Sequence, residues 1–177
     1  MKTITIKSSS EISAHIDRVR RSAEATRLRL LELTTESVGL ELLSQMKYEQ
    51  IGCDPLDLTR ALNVVEQINQ TLTYLATFRA AEILFTKHSE MSQLTMNLGT
   101  APGFDLESPD AGGIAAEVFA ATHPASNRKL SKDIKRVRGV SAAHKYVFFA
   151  CPGISARPYD YRSSGDVHVW SLGTNFE

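Results

Sequence analysis

Cysteine is scarce: Cys53 and Cys151 are the only two in 177 residues. With no CxxC spacing and no cysteine-rich framework, the chain offers neither a zinc site nor a disulfide scaffold. Two small buried thiols remain as the reading. An excess of charge of one sign is also missing, because 20 basic and 20 acidic residues leave a formal net charge of zero. The overall field that draws basic proteins to nucleic acid is therefore lacking, and any such binding must rest on a local patch. Residues 1–21 hold charges and serines throughout and no continuous apolar core. That excludes a signal peptide or spanning helix there and sets the expectation of a cytoplasmic protein without membrane contact. No Gly-rich phosphate loop, Ser/His/Asp order or His-Glu-x-x-His helix is present, which argues against a P-loop NTPase, a nucleophile-elbow hydrolase and a zincin. What is there is close to the globular average, 42% hydrophobic and 23% charged. The length suits one domain, or a small domain with a helical extension.

Residues 3–7 alternate polar and apolar, as a short strand or a loose end would. Ser8, Ser9 and Ser10 offer an N-cap for a helix through Ile12, Ile16 and Val19 that either continues through Leu28 and Leu31 or breaks before Thr34. Val38, Leu42, Leu43 and Met46 mark a further helical segment ending near Ile51-Gly52. Asp54-Pro55 reads as a helix start, with an apolar stripe through Leu58, Leu62, Val65, Ile68, Leu72, Leu75 and Phe78 that predicts one long helix over residues 54–87. Its spacing then lands on Glu82 before Phe85.

From Leu94 the period changes. Leu94, Met96 and Leu98 alternate with polar residues, residues 99–103 signal a turn, and 104–107 and 114–121 read as two strands of a hairpin. A helix follows with Leu130, Ile134 and Val137 on one face, then a buried strand at 146–150 and a last strand at 167–172. The expected architecture is an α/β or α+β fold, with residues 1–53 as an N-terminal helical extension and 54–177 as the sheet-containing core.

Side chains alternate across a strand, so Asp105 and Glu107 share one face and Ala115, Glu117 and Phe119 share another. A hairpin turning symmetrically about Ala111 sets Asp105 opposite Glu117. Two carboxylates so placed need a cation, a proton or a basic side chain between them. A hard divalent ion such as Mg²⁺ suits them in type and number, and such an ion activates water and neutralises charge on a phosphate. The alternative is structural: Asp105 as a solvated strand-end residue and Glu117 paired with Lys129 or Arg128. Glu117 is the harder of the two to dismiss, since an unpaired carboxylate within Ile-Ala-Ala-Glu-Val-Phe-Ala-Ala would be costly to bury. Arg128, Lys129, Lys132, Lys135 and Arg136 concentrate positive charge on the next helix, either to follow a phosphate backbone or as the wet face of an ordinary amphipathic helix. Glu82 is either a third acidic ligand or a partner of Arg79, and His123 either a base or a turn residue.

The order helix, three strands, helix, strand, with Asp105 in the second strand and Glu117 in the third, resembles the PD-(D/E)XK restriction-endonuclease-like superfamily. The resemblance covers roughly residues 54–150 and implies an αβββαβ core with a mixed central sheet. It further implies metal-dependent hydrolysis of phosphodiester bonds in DNA, with RNA as a second substrate. Asp105 and Glu117 would bind Mg²⁺ or Mn²⁺, with Glu82 contributed by the preceding helix. The family's lysine two residues after the second acid is Phe119 here, so its role would pass to Lys129 or Lys132 on the following helix, with Arg128, Lys132, Lys135 and Arg136 holding the nucleic acid. If neither lysine serves, the resemblance implies the fold without the chemistry: an inactive nucleic-acid- or protein-binding module. A third reading, an assembly subunit with a helical interface, rests on the long apolar stripe from Leu58 to Phe85, and the N-terminal helices before it either cover a face or mediate a homodimer.

Overall fold

Ile4 and Ile6 alternate with Thr3 and Thr5, the period of a half-buried strand. In the computed structural model, which describes residues 2–161 and 164–176, this segment is β1 (Lys2–Ile6). Then come α1 (Ile12–Glu36), α2 (Gly39–Tyr48), β2 (Gly52–Asp54), β3 (Asp57–Leu62) and α3 (Val64–Lys87). The remainder is β4 (Leu94–Leu98), β5 (Leu106–Ser108), β6 (Ile114–Ala120), α4 (Lys129–Arg138), β7 (His144–Ala150), β8 (Arg157–Pro158) and β9 (His168–Ser171). No helix among the described residues is long and apolar enough to cross a membrane.

The chain forms two compact units, one of the residues up to Ile12 with those from Ala76 onward, the other of Ser13–Leu75. This division does not follow the expected boundary at residue 53, because β1 belongs to the sheet unit. β1 pairs antiparallel with β4, Ile4 opposite Met96 and Ile6 opposite Leu94.

In the sheet unit seven strands lie in the order β1-β4-β5-β6-β7-β9-β8. The pairings from β1 to β6 are antiparallel, while β6, β7 and β9 run parallel. The sheet is mixed. The β6 to β7 connection passes through α4, as a parallel pair requires. α4 covers the face that carries Ala115, Phe119, Val147, Phe149 and Val169, burying Leu130, Ile134 and Val137 against them. On the opposite face the Tyr146 hydroxyl meets His88 Nε2 at 2.9 Å, and Lys87 Nζ lies 4.6 Å from the centre of the Trp170 ring. Both faces of the central strands are thus covered, which is why Ile114 to Phe119 are all buried and the segment reads as an almost continuous apolar run.

The helical unit corrects the Asp54-Pro55 reading. Asp54 closes a turn instead of capping a helix: its Oδ1 accepts the Leu56 N–H at 2.8 Å, and its Oδ2 pairs with Arg60 at 3.1 Å. Asp-Pro serves tight turns as readily as helix starts, and here it joins β2 to β3, with Cys53 opposite Ala61. The helix begins ten residues later than Asp54, at Val64, where Asn63 Oδ1 accepts the Glu66 N–H at 2.8 Å. Gln67 then ties the unit together. Its Oε1 accepts from Thr26 Oγ1 (2.6 Å) and the Cys53 N–H (3.0 Å), and its Nε2 donates to the carbonyl and hydroxyl oxygens of Ser22 (3.2 and 2.9 Å).

All four hydrogen-bonding positions of this buried amide are filled, and Gly52 makes room for it, since a Cβ there would stand 2.2 Å from Gln67 Oε1. Gly52→Ala is therefore expected to lower the urea midpoint, costing about 1–3 kcal/mol as the amide loses partners. An unchanged midpoint would show that Gln67 shifts without loss.

Candidate functional site

The antiparallel ladder between β5 and β6 pairs Leu106 with Ala116, Glu107 with Ala115 and Ser108 with Ile114. One residue before Leu106, the same register brings Asp105 beside Glu117. Asp105 is fixed from both neighbouring strands: its carbonyl accepts the Asn97 N–H of β4 at 2.9 Å, and its Oδ2 accepts the Val118 N–H of β6 at 2.7 Å. The loop that presents it is held by Glu107 Oε1, which accepts from Asn97 Nδ2 (2.7 Å) and the Phe104 N–H (3.1 Å). Gly103 is obligatory there. It has a φ of +102°, and a Cβ would collide with both Glu107 and Asn97.

Glu117 lies in the middle of β6 at 1% exposure, on the face covered by α4. α4 sets Lys129, Asp133 and Arg136 along one stripe, flanking its apolar residues. Arg136 Nη1 is 2.7 Å from Glu117 Oε1, although without the angle of a hydrogen bond. The same guanidinium donates to the Gly103 carbonyl and lies 4.9 Å from the centre of the Phe104 ring. Lys129 Nζ donates to Asp133 Oδ1 at 2.8 Å and stands 6.0 Å from the centre of the Phe119 ring. Asp133 is itself buried, and its Oδ2 has no hydrogen-bond partner.

Three carboxyl groups thus share a corner with two half-exposed cations, and all three hold protons more tightly than usual. Burial pushes Glu117 up to about 8, helped by the charge of Asp105 and opposed by Arg136. Burial also raises Asp105, against the Val118 N–H, the Lys129 charge and a hydrogen bond from the Glu117 carboxyl. Asp133 is raised by burial too, against Lys129. The corner is short of positive charge, and at neutral pH it makes up the deficit with a proton on the Asp105–Glu117 pair.

The remaining candidates are dispersed. Glu82 pairs with Arg79 Nη1 at 2.8 Å, and among the described residues no three His, Cys, Asp or Glu side chains gather closely enough to hold a metal ion. The set of Asp105, Glu117 and Glu82 is therefore not assembled, and Glu82 instead has a cationic partner one helical turn away. The basic partner of Glu117 is Arg136 instead of Lys129 or Arg128. α4 starts only at Lys129, so it is the residue two turns along that reaches the middle of β6. Arg128, Lys132 and Lys135 are exposed. Phe119 is core: it stacks on Phe149 at 5.9 Å.

Asp133 was missed from the sequence, although its spacing of four from Lys129 and three from Arg136 beside buried Leu130, Ile134 and Val137 is a legible signal. The brace formed by Asn97 and Glu107 left none. Mg²⁺ needs only one or two carboxylates with water. The buried Asp133 Oδ2, which has no hydrogen-bond partner, and the Glu117 carboxyl, which holds its proton unusually tightly, are oxygen ligands of the type a hard cation takes.

Each raised carboxyl binds its proton more tightly folded than unfolded. The stabilisation is complete below the ordinary value of 4.5 for Glu117 and is lost as pH rises through about 8. With metal chelated, the melting temperature is expected to fall between pH 5 and pH 8 by about 4 °C or more, and Glu117→Gln should flatten that slope. Equal slopes in the two proteins would remove Glu117 as the source. Compared with family models, with curated proteins and with solved structures, the chain matches none.

Proposed function

We propose that this protein is a cytoplasmic, metal-dependent nuclease of the PD-(D/E)XK type that hydrolyses phosphodiester bonds, DNA being the favoured substrate. The observation that carries the reading is the pairing of half-buried Asp105 with buried Glu117, side by side across β5 and β6 in a corner where three carboxyl groups face two cations. Support also comes from the order α3, β4, β5, β6, α4, β7, the αβββαβ order of that superfamily. The buried free thiols of Cys53 and Cys151 accord with a reducing compartment.

Asp105 and Glu117 would hold Mg²⁺ or Mn²⁺, which when bound supplies an activated water and neutralises charge on the scissile phosphate. Asp105 is oriented for this by the Val118 N–H, which holds Oδ2. Lys129 takes the part of the lysine that Phe119 replaces: its ammonium lies over that ring and stabilises charge developing on a phosphate oxygen. Asp133 aims Lys129, and Arg136 steadies Glu117 while clamping the loop at Gly103 and Phe104. Arg128, Lys132 and Lys135 offer the local basic surface that a chain of zero net charge needs to hold a phosphate backbone.

The test is cleavage of single-stranded DNA, duplex DNA and RNA with Mg²⁺ or Mn²⁺ against a chelator. Cleavage is expected only with metal, and Asp105→Asn, Glu117→Gln or Lys129→Met should each slow it by about 100-fold or more. Metal should also raise the melting temperature of wild type at pH 7.5 and not that of Glu117→Gln. No cleavage of any substrate, or full activity in Glu117→Gln, sinks the proposal.

A second reading is favoured by the ion pairs themselves. Arg136 on Glu117 and Lys129 on Asp133 partly neutralise the corner without metal, as an inactive, nucleic-acid- or protein-binding descendant of the fold would need. Metal-independent binding without cleavage is its signature. A homodimer through the helical unit is part of either reading: α2 buries none of its residues, and Leu40 and Leu43 are 85% and 61% exposed. Sedimentation should then show a dimer that Leu40→Glu with Leu43→Glu converts to monomer.

A further inference from the structure

Beyond the carboxylate corner, the sheet unit contains a cavity of about 420 Å³ where the chain leaves the C-terminal ends of the parallel strands β6 and β7. Pro152 and Ile154 give it apolar walls, Tyr159 and Tyr161 aromatic ones, and His123 and Arg128 polar ones. Its volume lies at the lower end of the range that small-ligand sites occupy, and a mostly apolar lining with a few polar groups is their usual make-up.

The polar groups are available for a ligand. Among the described residues no hydrogen bond or ion pair engages the guanidinium of Arg128 or the hydroxyls of Tyr159 and Tyr161. His123 Nδ1 accepts the Ala125 N–H at 3.1 Å, which sets the neutral ring's proton on Nε2 as a donor. Tyr159 is held firmly, its N–H on the Val169 carbonyl at 2.8 Å and its ring edge-on to Phe149 at 5.0 Å. Asn127 and Arg128 both take the left-handed conformation, with φ of 52° and 54°. Asparagine tolerates this conformation, whereas an arginine in it is strained, and that strain falls where Arg128 borders the cavity.

The cavity adjoins the carboxylate corner across the first turn of α4. Leu130 and Ser131 line the cavity, while Lys129 and Asp133 belong to the corner. A strand whose phosphate reached Lys129 would have its neighbouring nucleotide at the cavity mouth. We infer that the cavity receives one unpaired nucleotide of a single-stranded or frayed nucleic acid, its base against Tyr159 and Tyr161 and its phosphate on Arg128. Aromatic faces accept any base, whereas a base still paired in a duplex has no free face to offer. This assignment rests on the nuclease reading, because it is the corner that brings a strand to the cavity.

The test is fluorescence anisotropy on the full chain in chelator, with a labelled oligo-dT of about ten nucleotides, a blunt duplex and AMP as probes. Wild type is expected to bind oligo-dT at least about tenfold more tightly than the duplex. Tyr161→Ala should weaken oligo-dT binding by about 5- to 100-fold and leave duplex binding unchanged. Arg128→Asn, which suits the left-handed backbone, should weaken both. Tyr161→Leu, which keeps bulk without the aromatic face, carries the test if Tyr161→Ala fails to fold. Unchanged oligo-dT binding in the Tyr161 variant overturns the inference, as does AMP binding as tightly as the oligonucleotide, which would make the cavity a mononucleotide site. If wild type cleaves nothing yet the Tyr161 variant loses strand binding, the nuclease reading falls and the cavity assignment stands. If cleavage is metal-dependent and the variant binds normally, the assignment falls alone.

Discussion

The burial of the Glu117 carboxyl in the middle of β6 is the constraint around which the sheet unit is organised. A carboxylate at 1% exposure is tolerated only with a proton, a cation or a cationic side chain at hand. Here burial and the neighbouring Asp105 raise the proton affinity of Glu117, and α4 brings a guanidinium to it. Much else follows from that need. Arg136 must reach inward, so α4 lies with its basic residues split between the corner and solvent. The loop before β5 must stay close, so Gly103 and the Asn97–Glu107 brace hold it there.

This arrangement is costly in stability. Three carboxyl groups, all holding protons more tightly than usual, are poor design for a core whose only task is packing. Apolar side chains of similar volume would fill the same space without desolvating charge. The neighbouring apolar cluster of Phe119, Phe149, Ile134 and Val137 shows that the same helix and strands pack well without charge. The polar corner therefore stands out as the part of the interface between α4 and the sheet that packing alone does not account for. It runs along α4 from Lys129 to Arg136, and its Lys129 end adjoins the cavity bounded by Tyr159 and Tyr161.

Legibility in the sequence varied with the range of the interaction concerned. The strands at β4, β6 and β7 and the register of the β5–β6 hairpin were readable, because alternation in β4, apolar runs in β6 and β7 and a symmetric turn about Ala111 are local signals. Asp105 and Glu117 could be brought together on paper for that reason. The start of α3 was misread, because Asp-Pro carries the same local preference in a turn as at a helix start. Which one forms depends on β2 pairing with β3. Glu82 was placed on a buried stripe by its spacing, but it pairs with Arg79 and joins no cluster of three metal-ligating side chains among the described residues.

By itself the sequence determined the helices and strands between Leu94 and Ala150 and the presence of two acids at facing positions. All of these depend on residues near one another in the chain. Only the tertiary structure decided that Arg136, not Lys129, neutralises Glu117, that Asp133 joins the corner, and that a cavity opens beside it. Those outcomes turn on how far α4 advances across the sheet and where the loops after β6 and β7 come to rest. Distances of this kind arise when distant segments compete for the same buried space, and no local pattern encodes them.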